Sequence, residues 1–129
     1  MDLVKKALEI RKNAYAPYSD FKVGAAIKSD NGKTFGGCNV ENAAYPQGTC
    51  AEAGAIAAMI ADGQRKIVKV VVAADSESPV TPCGGCRQKL AEFCNSNVEV
   101  IFANLNGEIG RMTMSELLPG AFSKKQMEK

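Results

Sequence analysis

Two short motifs, Cys50-Ala51-Glu52 and Pro82-Cys83-Gly84-Gly85-Cys86, stand on either side of the β-branched run Ile67 to Ala74. A fold that uses all three thiols together must bring two segments of chain to one place across that strand. Cys83 and Cys86 are three residues apart at a predicted helix start, so both side chains face the same way. Cys50 precedes another predicted helix and could supply a third sulfur. Three thiolates can hold one tetrahedral zinc ion and leave its fourth position for water, the open arrangement of a catalytic site. Two helix starts aimed at that site offset part of the negative charge gathered there. Glu52 stands ready to move protons, on one condition. Residues two apart do not share a helical face, so Cys50 and Glu52 serve one site only from an irregular first turn.

Each motif alone also has a plainer reading. Thr49 and Glu52 have the spacing of a capping box, in which Glu52 bonds back to the backbone. Cys83 and Cys86 alone could be a redox pair. Cys38 and Cys94 share neither spacing and are expected to pack as small buried hydrophobes. It is the occurrence of both motifs, in this order and around a strand, that favours the metal.

The chain of 129 residues contains no histidine. Serine-histidine and cysteine-histidine catalysis are thereby excluded, and carboxylate, lysine, perturbed cysteine or metal-activated water must act as base near neutral pH. The five cysteines follow a start, Met1-Asp2-Leu3-Val4-Lys5-Lys6, with no apolar leader, which points to metal or redox chemistry in the cytoplasm rather than to disulfides. A net charge of +2 from scattered Lys and Arg offers no basic stripe for nucleic acid, and no run is long enough to span a bilayer. The length suits a single domain over residues 1–129, with a solvated polar tail from about 123 to 129.

Along the chain, apolar spacing predicts an amphipathic helix over 2–14, ended by Ala16-Pro17-Tyr18-Ser19. Lys22 to Ser29 and Lys33 to Cys38 flank Asn31-Gly32, a pair that accepts positive φ at both central positions of a tight turn, and form a hairpin. Ala51 to Ala61 reads as a helix apolar on most sides, covered by further protein or by a second subunit, and stopped by Asp62-Gly63. Ile67 to Ala74 is a central strand. Thr81 as N-cap and Pro82 at the first helical position open a helix reaching about Asn95. Val98 to Asn104 is a strand, Asn106-Gly107 turns into a short strand Ile109 to Met112, and Thr113 with Glu116 caps a brief helix ended by Pro119. This order predicts a three-layer α/β/α fold with a mixed five-stranded sheet and helices on both faces.

A zinc-ligating Cys-x-Glu followed by Pro-Cys-x-x-Cys is the pattern of zinc nucleobase deaminases in three-cysteine form. The chain resembles the small homotetrameric cytidine deaminases nearly end to end. The resembling segments are Ala14 to Ala26, the ribose-binding segment Gly37 to Tyr45, the metal motif Pro82 to Gln88, and the C-terminal Leu117-Leu118-Pro119-Gly120-Ala121-Phe122. The resemblance implies one zinc per chain on Cys50, Cys83 and Cys86, with Glu52 as proton shuttle. It further implies hydrolysis of the exocyclic amine of cytidine and deoxycytidine, with release of ammonia, in pyrimidine salvage. Substrate contacts are implied for Phe21, Asn39, Glu41, Ala51 and Phe122, with Asn39 and Glu41 on the ribose and Phe122 reaching a neighbouring subunit's site in a homotetramer. The anionic Glu41 suits a neutral nucleoside better than a nucleotide.

In one respect the chain departs from the pattern. Family members usually carry arginine directly after the glutamate, and here the residue is Ala53, which leaves more negative charge on the metal centre unless Arg87, the helix termini or another group compensates. Alanine there is shared with blasticidin S deaminases, so a deaminase of blasticidin S or another modified cytosine nucleoside is the alternative, and Asn39 with Glu41 favours the ribonucleoside. A polynucleotide-editing enzyme would need a basic channel and stacking aromatics, and the chain has no tryptophan. A noncatalytic zinc or dithiol protein is the third reading.

Overall fold

A computed structural model describes residues 2–127. Helix α1 (Leu3–Arg11) is followed by strands β1 (Val23–Ser29) and β2 (Thr34–Cys38), then helix α2 (Ala51–Ala61) and strand β3 (Ile67–Ala74). Helix α3 (Gly84–Phe93), strands β4 (Glu99–Asn104) and β5 (Gly107–Thr113) and the one-turn helix α4 (Met114–Leu117) complete the order. The strands form one five-stranded sheet in the order β2-β1-β3-β4-β5. Only β3 and β4, joined through α3, pair in parallel, while both hairpins and the β1–β3 pair are antiparallel. This is the expected mixed α/β sheet, because a crossover helix returns the chain in the same direction and a tight turn reverses it.

Side-chain alternation divides the core between the two faces of the sheet. Ala26, Val71, Ala73, Ile101 and Ala103 meet Leu3 and Ala7 of α1. Their neighbours Ala25, Ile27, Val70, Val72, Val100 and Phe102 face the other way, into a larger core with Ala55 and Met59 of α2 and Leu90 of α3. A two-residue period on strands that are apolar throughout gives two buried faces, and hence three layers. Along α2, however, the outward positions Ala57, Ala58 and Ala61 are exposed.

Several boundaries differ from expectation. The first helix stops at Arg11 and not at 14, and the next residues make single turns in which the Asn13 and Ala14 N–H groups bond Ile10 and Arg11. At the first hairpin only Gly32 of the Asn31-Gly32 pair takes positive φ, at 87°. Asn31 spends its side-chain oxygen on the Lys33 N–H (3.1 Å) and the Ser29 hydroxyl, so the turn closes with one left-handed residue instead of two. Gly107 likewise opens β5 alone, at φ 119°, and the strand is longer than predicted. The third helix begins at Gly84 with Cys83 as its N-cap, not at Pro82 with Thr81 as cap, for a reason that belongs to the site. It ends at Phe93. In the polar tail Lys124–Met127 form an exposed 3-10 turn, and residues 128 and 129 lie outside those described.

Candidate active site

The site begins with a close approach. A Cβ built on Gly37 of β2 would lie 2.4 Å from both the Ala51 oxygen and the Ala55 nitrogen, so the bare backbone there lets the first turn of α2 settle against the strand. That contact fixes Cys50, whose extended backbone (φ −77°, ψ 157°) makes it the N-cap of α2. Thr49 is not the cap, and its backbone is paired with Val40. Glu52 therefore sits in the first turn, which meets the condition set by its spacing from Cys50.

The second arm is placed by Arg87. Its guanidinium donates to the Pro82 carbonyl (2.8 Å), the Leu117 carbonyl (2.8 Å) and the Thr81 hydroxyl (3.1 Å). Thr81 and Pro82 are thus held outside the helix, and the N-cap moves on to Cys83 (φ −64°, ψ 167°). Cys83 caps α3 through its extended backbone alone, with no side-chain hydrogen bond to the helix start. Two helices of different chain segments thus start with a cysteine each, and Cys86 follows within the first turn of α3.

These starts converge. The sulfurs of Cys50, Cys83 and Cys86 all lie within 4.8 Å of one another. Three sulfurs on one tetrahedral zinc at about 2.3 Å stand roughly 3.8 Å apart, so the set fits the ion with a small contraction. Cys86 is buried, with 1% of its surface exposed, while Cys50 and Cys83 are exposed, which leaves the cluster open on one side. Burial pushes the thiols of Cys50 and Cys86 up, and the nearby Cys86 N–H holds Cys83 down. A site that resists ionising two of its three sulfurs lacks positive charge, and a bound dication supplies it. Cys38 and Cys94 are half-buried away from the cluster, and burial raises the Cys94 thiol to about 12.

Glu52 is the second chemical feature. It is 4% exposed, and among the described residues only it and Ser29 are buried polar or charged groups. The Ser29 hydroxyl is satisfied by the Asn31 side-chain oxygen. Glu52 has no ion-pair partner among the described residues, and burial raises its carboxyl above the usual range, opposed by its own backbone N–H and the more distant Lys89. Burying such a group costs stability.

A cavity of about 490 Å³ is lined by Cys50, Asn39, Glu41, Tyr18, Ser19 and Tyr45 among others, while Cys83, Cys86 and Glu52 do not line it. The volume suits a small ligand. The Asn39 amide accepts from the Val23 N–H (2.8 Å) and donates to the Phe21 carbonyl (2.9 Å), so it also ties the entry of β1. Of the other candidates, Ala51 is fully buried under β2, and Phe21 is 39% exposed without lining the cavity. Phe122 is 59% exposed, on a C-terminal segment held by Gln88, whose side chain donates to the Phe122 carbonyl at 3.0 Å. Tyr18, Ser19 and Tyr45 lie within the segments that carry the resemblance, Ala14 to Ala26 and Gly37 to Tyr45, but were not singled out as site residues from sequence.

A family model described as the cytidine and deoxycytidylate deaminase zinc-binding region matches residues 1–103. The chain belongs to that family. It is 46% identical to a cytidine deaminase of Sporosarcina psychrophila over 125 residues, which is 97% of this chain and 92% of the relative. A crystal structure of cytidine deaminase from Burkholderia pseudomallei superposes with a TM-score of 0.88 at 42% identity, covering 93% of this chain and 96% of the other. Likeness to a blasticidin-S deaminase of Bacillus cereus is lower, 28% over 83% of this chain and 82% of that protein. The chain is therefore an enzyme, a zinc-dependent hydrolase that deaminates cytidine. No helix among the described residues is long and apolar enough to cross a membrane.

Proposed function

We propose that Cys50, Cys83 and Cys86 hold the zinc, that Glu52 is the proton shuttle, and that free cytidine and deoxycytidine are the substrates, rather than nucleotides or polynucleotides. The observation that carries this reading is a three-sulfur cluster that shares Cys50 with a cavity also lined by Asn39 and Glu41, with one buried carboxyl in the same helix turn as Cys50. Zinc supplies Lewis acidity that brings the pKa of a water toward roughly 7. A Glu52 oxygen accepts the proton that this water gives up. Glu52 passes that proton to the pyrimidine ring nitrogen; once the water oxygen has bonded to the ring carbon, the carboxylate takes the second proton from that hydroxyl and gives it to the amine, whose bond to carbon then breaks, so water and cytidine leave as uridine and ammonia. Asn39 retains one donor and one acceptor beyond its in-chain bonds, and Glu41 retains acceptor capacity, both suited to sugar hydroxyls. An anionic Glu41 disfavours a phosphate nearby.

Phe21 and Ala51 are assigned to the base end of the site, Phe122 to the site of a neighbouring subunit, and the whole chain to one domain working in the cytoplasm. The exposed Ala57, Ala58 and Ala61 on α2 and the outward Phe122 support self-association into a homotetramer. The test is ammonia release by zinc-loaded protein from cytidine, deoxycytidine, cytosine, CMP and blasticidin S. The two nucleosides are expected to have the highest kcat/KM. A higher value for CMP or blasticidin S would overturn the substrate assignment.

A further inference from the structure

Glu41 does not stand free at the cavity wall. Residues 16–20 curl into a turn closed by the Asp20 N–H on the Ala16 carbonyl at 2.9 Å, with Asp20 in the left-handed region at φ 57°. The turn points two successive N–H groups at one carboxylate oxygen. Tyr18 and Ser19 donate to Oε1 of Glu41 at 2.9 and 3.1 Å. The Ser19 hydroxyl donates to Oε2, and its oxygen accepts from the Phe21 N–H at 3.0 Å. An ionised carboxylate has about four acceptor positions. Two are filled on Oε1 and one on Oε2, so one remains, on Oε2.

We infer that Ser19 is a positioning residue for nucleoside recognition: its hydroxyl fixes the Glu41 carboxylate with a single acceptor position left for a sugar hydroxyl. This rests on the proposed sugar role of Glu41. Ser19 lines the cavity beside Glu41, and its second bond ties the same hydroxyl to the backbone of Phe21, so one atom sets the geometry of two segments. The hydroxyl and the two N–H groups also hold the Glu41 carboxyl below the usual range, keeping it an acceptor.

Cytidine and 2′,3′-dideoxycytidine separate positioning from general disturbance, because the second lacks the ring hydroxyls that Glu41 would accept. Ser19→Ala is expected to raise KM for cytidine about tenfold, the size of one hydrogen bond to a charged group, with kcat and zinc content unchanged. KM for the dideoxynucleoside is expected to stay within about twofold of the parent value, because no such bond is lost. Ser19→Gly should repeat the pattern and Ser19→Thr should restore parent behaviour. An equal rise for both nucleosides, or no rise for cytidine, would overturn the inference. Glu41→Ala locates the fault. If it discriminates between the nucleosides while Ser19→Ala does not, the Ser19 role fails and the sugar role of Glu41 stands. If Glu41→Ala weakens both alike, the sugar role itself fails.

Discussion

Gly37→Ala tests whether the active site is positioned by a backbone contact. The added methyl would sit 2.4 Å from the Ala51 oxygen and the Ala55 nitrogen and 2.8 Å from the Gly54 carbonyl carbon, all backbone atoms of α2. Ordinary contact begins near 3.4 Å, so helix and strand must part by about 1 Å, and no side chain can swing away to spare them. Overpacking of this kind costs about 1–3 kcal/mol, and a purely backbone clash belongs at the upper end, near a 10 °C fall in Tm for a chain of this size. The shift falls on the turn that carries Cys50 and Glu52. A displacement of about 1 Å at reacting groups can cost on the order of 10² in rate, so kcat should fall further than the loss of folded protein explains.

Gly36→Ala is the control. Its Cβ would lie 2.9 Å from the Cδ1 end of Ile10 and 3.6 Å from the nearest backbone atom. A flexible side-chain end can yield, so the cost should stay below about 1.5 kcal/mol. Thermal melts of zinc-loaded and chelated protein, zinc content and single-turnover deamination would be compared for both variants. A Gly37→Ala protein that melts with the parent, keeps its zinc and turns over normally would refute the argument that this contact seats the site.

Glu52→Gln should keep zinc and lose about 10²–10⁴ in kcat, the usual share of a proton shuttle. The same change should stabilise the metal-free protein at neutral pH. Because burial raises the folded-state pKa of Glu52, the penalty exists where the carboxyl is ionised and disappears as pH falls below its unfolded pKa. Chelated melts of parent and variant should therefore converge on acidification and separate toward pH 8, and a constant gap would count against it. Arg87→Lys cannot reproduce three donors in a fork, so the Thr81 to Cys83 segment should loosen. Zinc affinity, read by competition with a chelator, should fall about 10- to 100-fold.

The sequence was most informative where one period or one spacing decides the outcome. Helix α2 was bounded correctly at both ends, Ala51 and Ala61, because its apolar run is closed by Asp62-Gly63. The three sulfurs could be grouped because metal ligation makes narrow demands on spacing. The start of α3 was not legible in the same way. Thr81 and Pro82 carry a strong local capping signal, and it is overridden by Arg87, whose bond to Leu117 crosses 30 residues. Ser19 was equally hidden, since its partner Glu41 lies 22 residues away and the contact depends on a turn with a left-handed aspartate. Local propensity is a weak prior wherever a buried or charged partner arrives from elsewhere in the chain.

The same long-range bonds bear on the missing cation beside Glu52. Ala53 offers no charge, and Arg87, directly after Cys86, directs its guanidinium to two carbonyls and a hydroxyl. Its contribution is to hold the Thr81 to Cys83 segment in place, so compensation for the proposed thiolate ligands falls to the helix termini and to Lys89, which acts on Glu52. Both α2 and α3 start on a cysteine of the three-sulfur cluster, and each helix terminus carries roughly half an elementary charge. Together they amount to about one positive charge, comparable with the absent arginine. That charge depends on the N-caps being Cys50 and Cys83 themselves. Had α3 begun at Pro82 as its local sequence suggests, Cys83 would lie inside the helix and not at the terminus where that charge is concentrated. The displacement of the helix start by Arg87 is in this sense part of the electrostatics of the metal site.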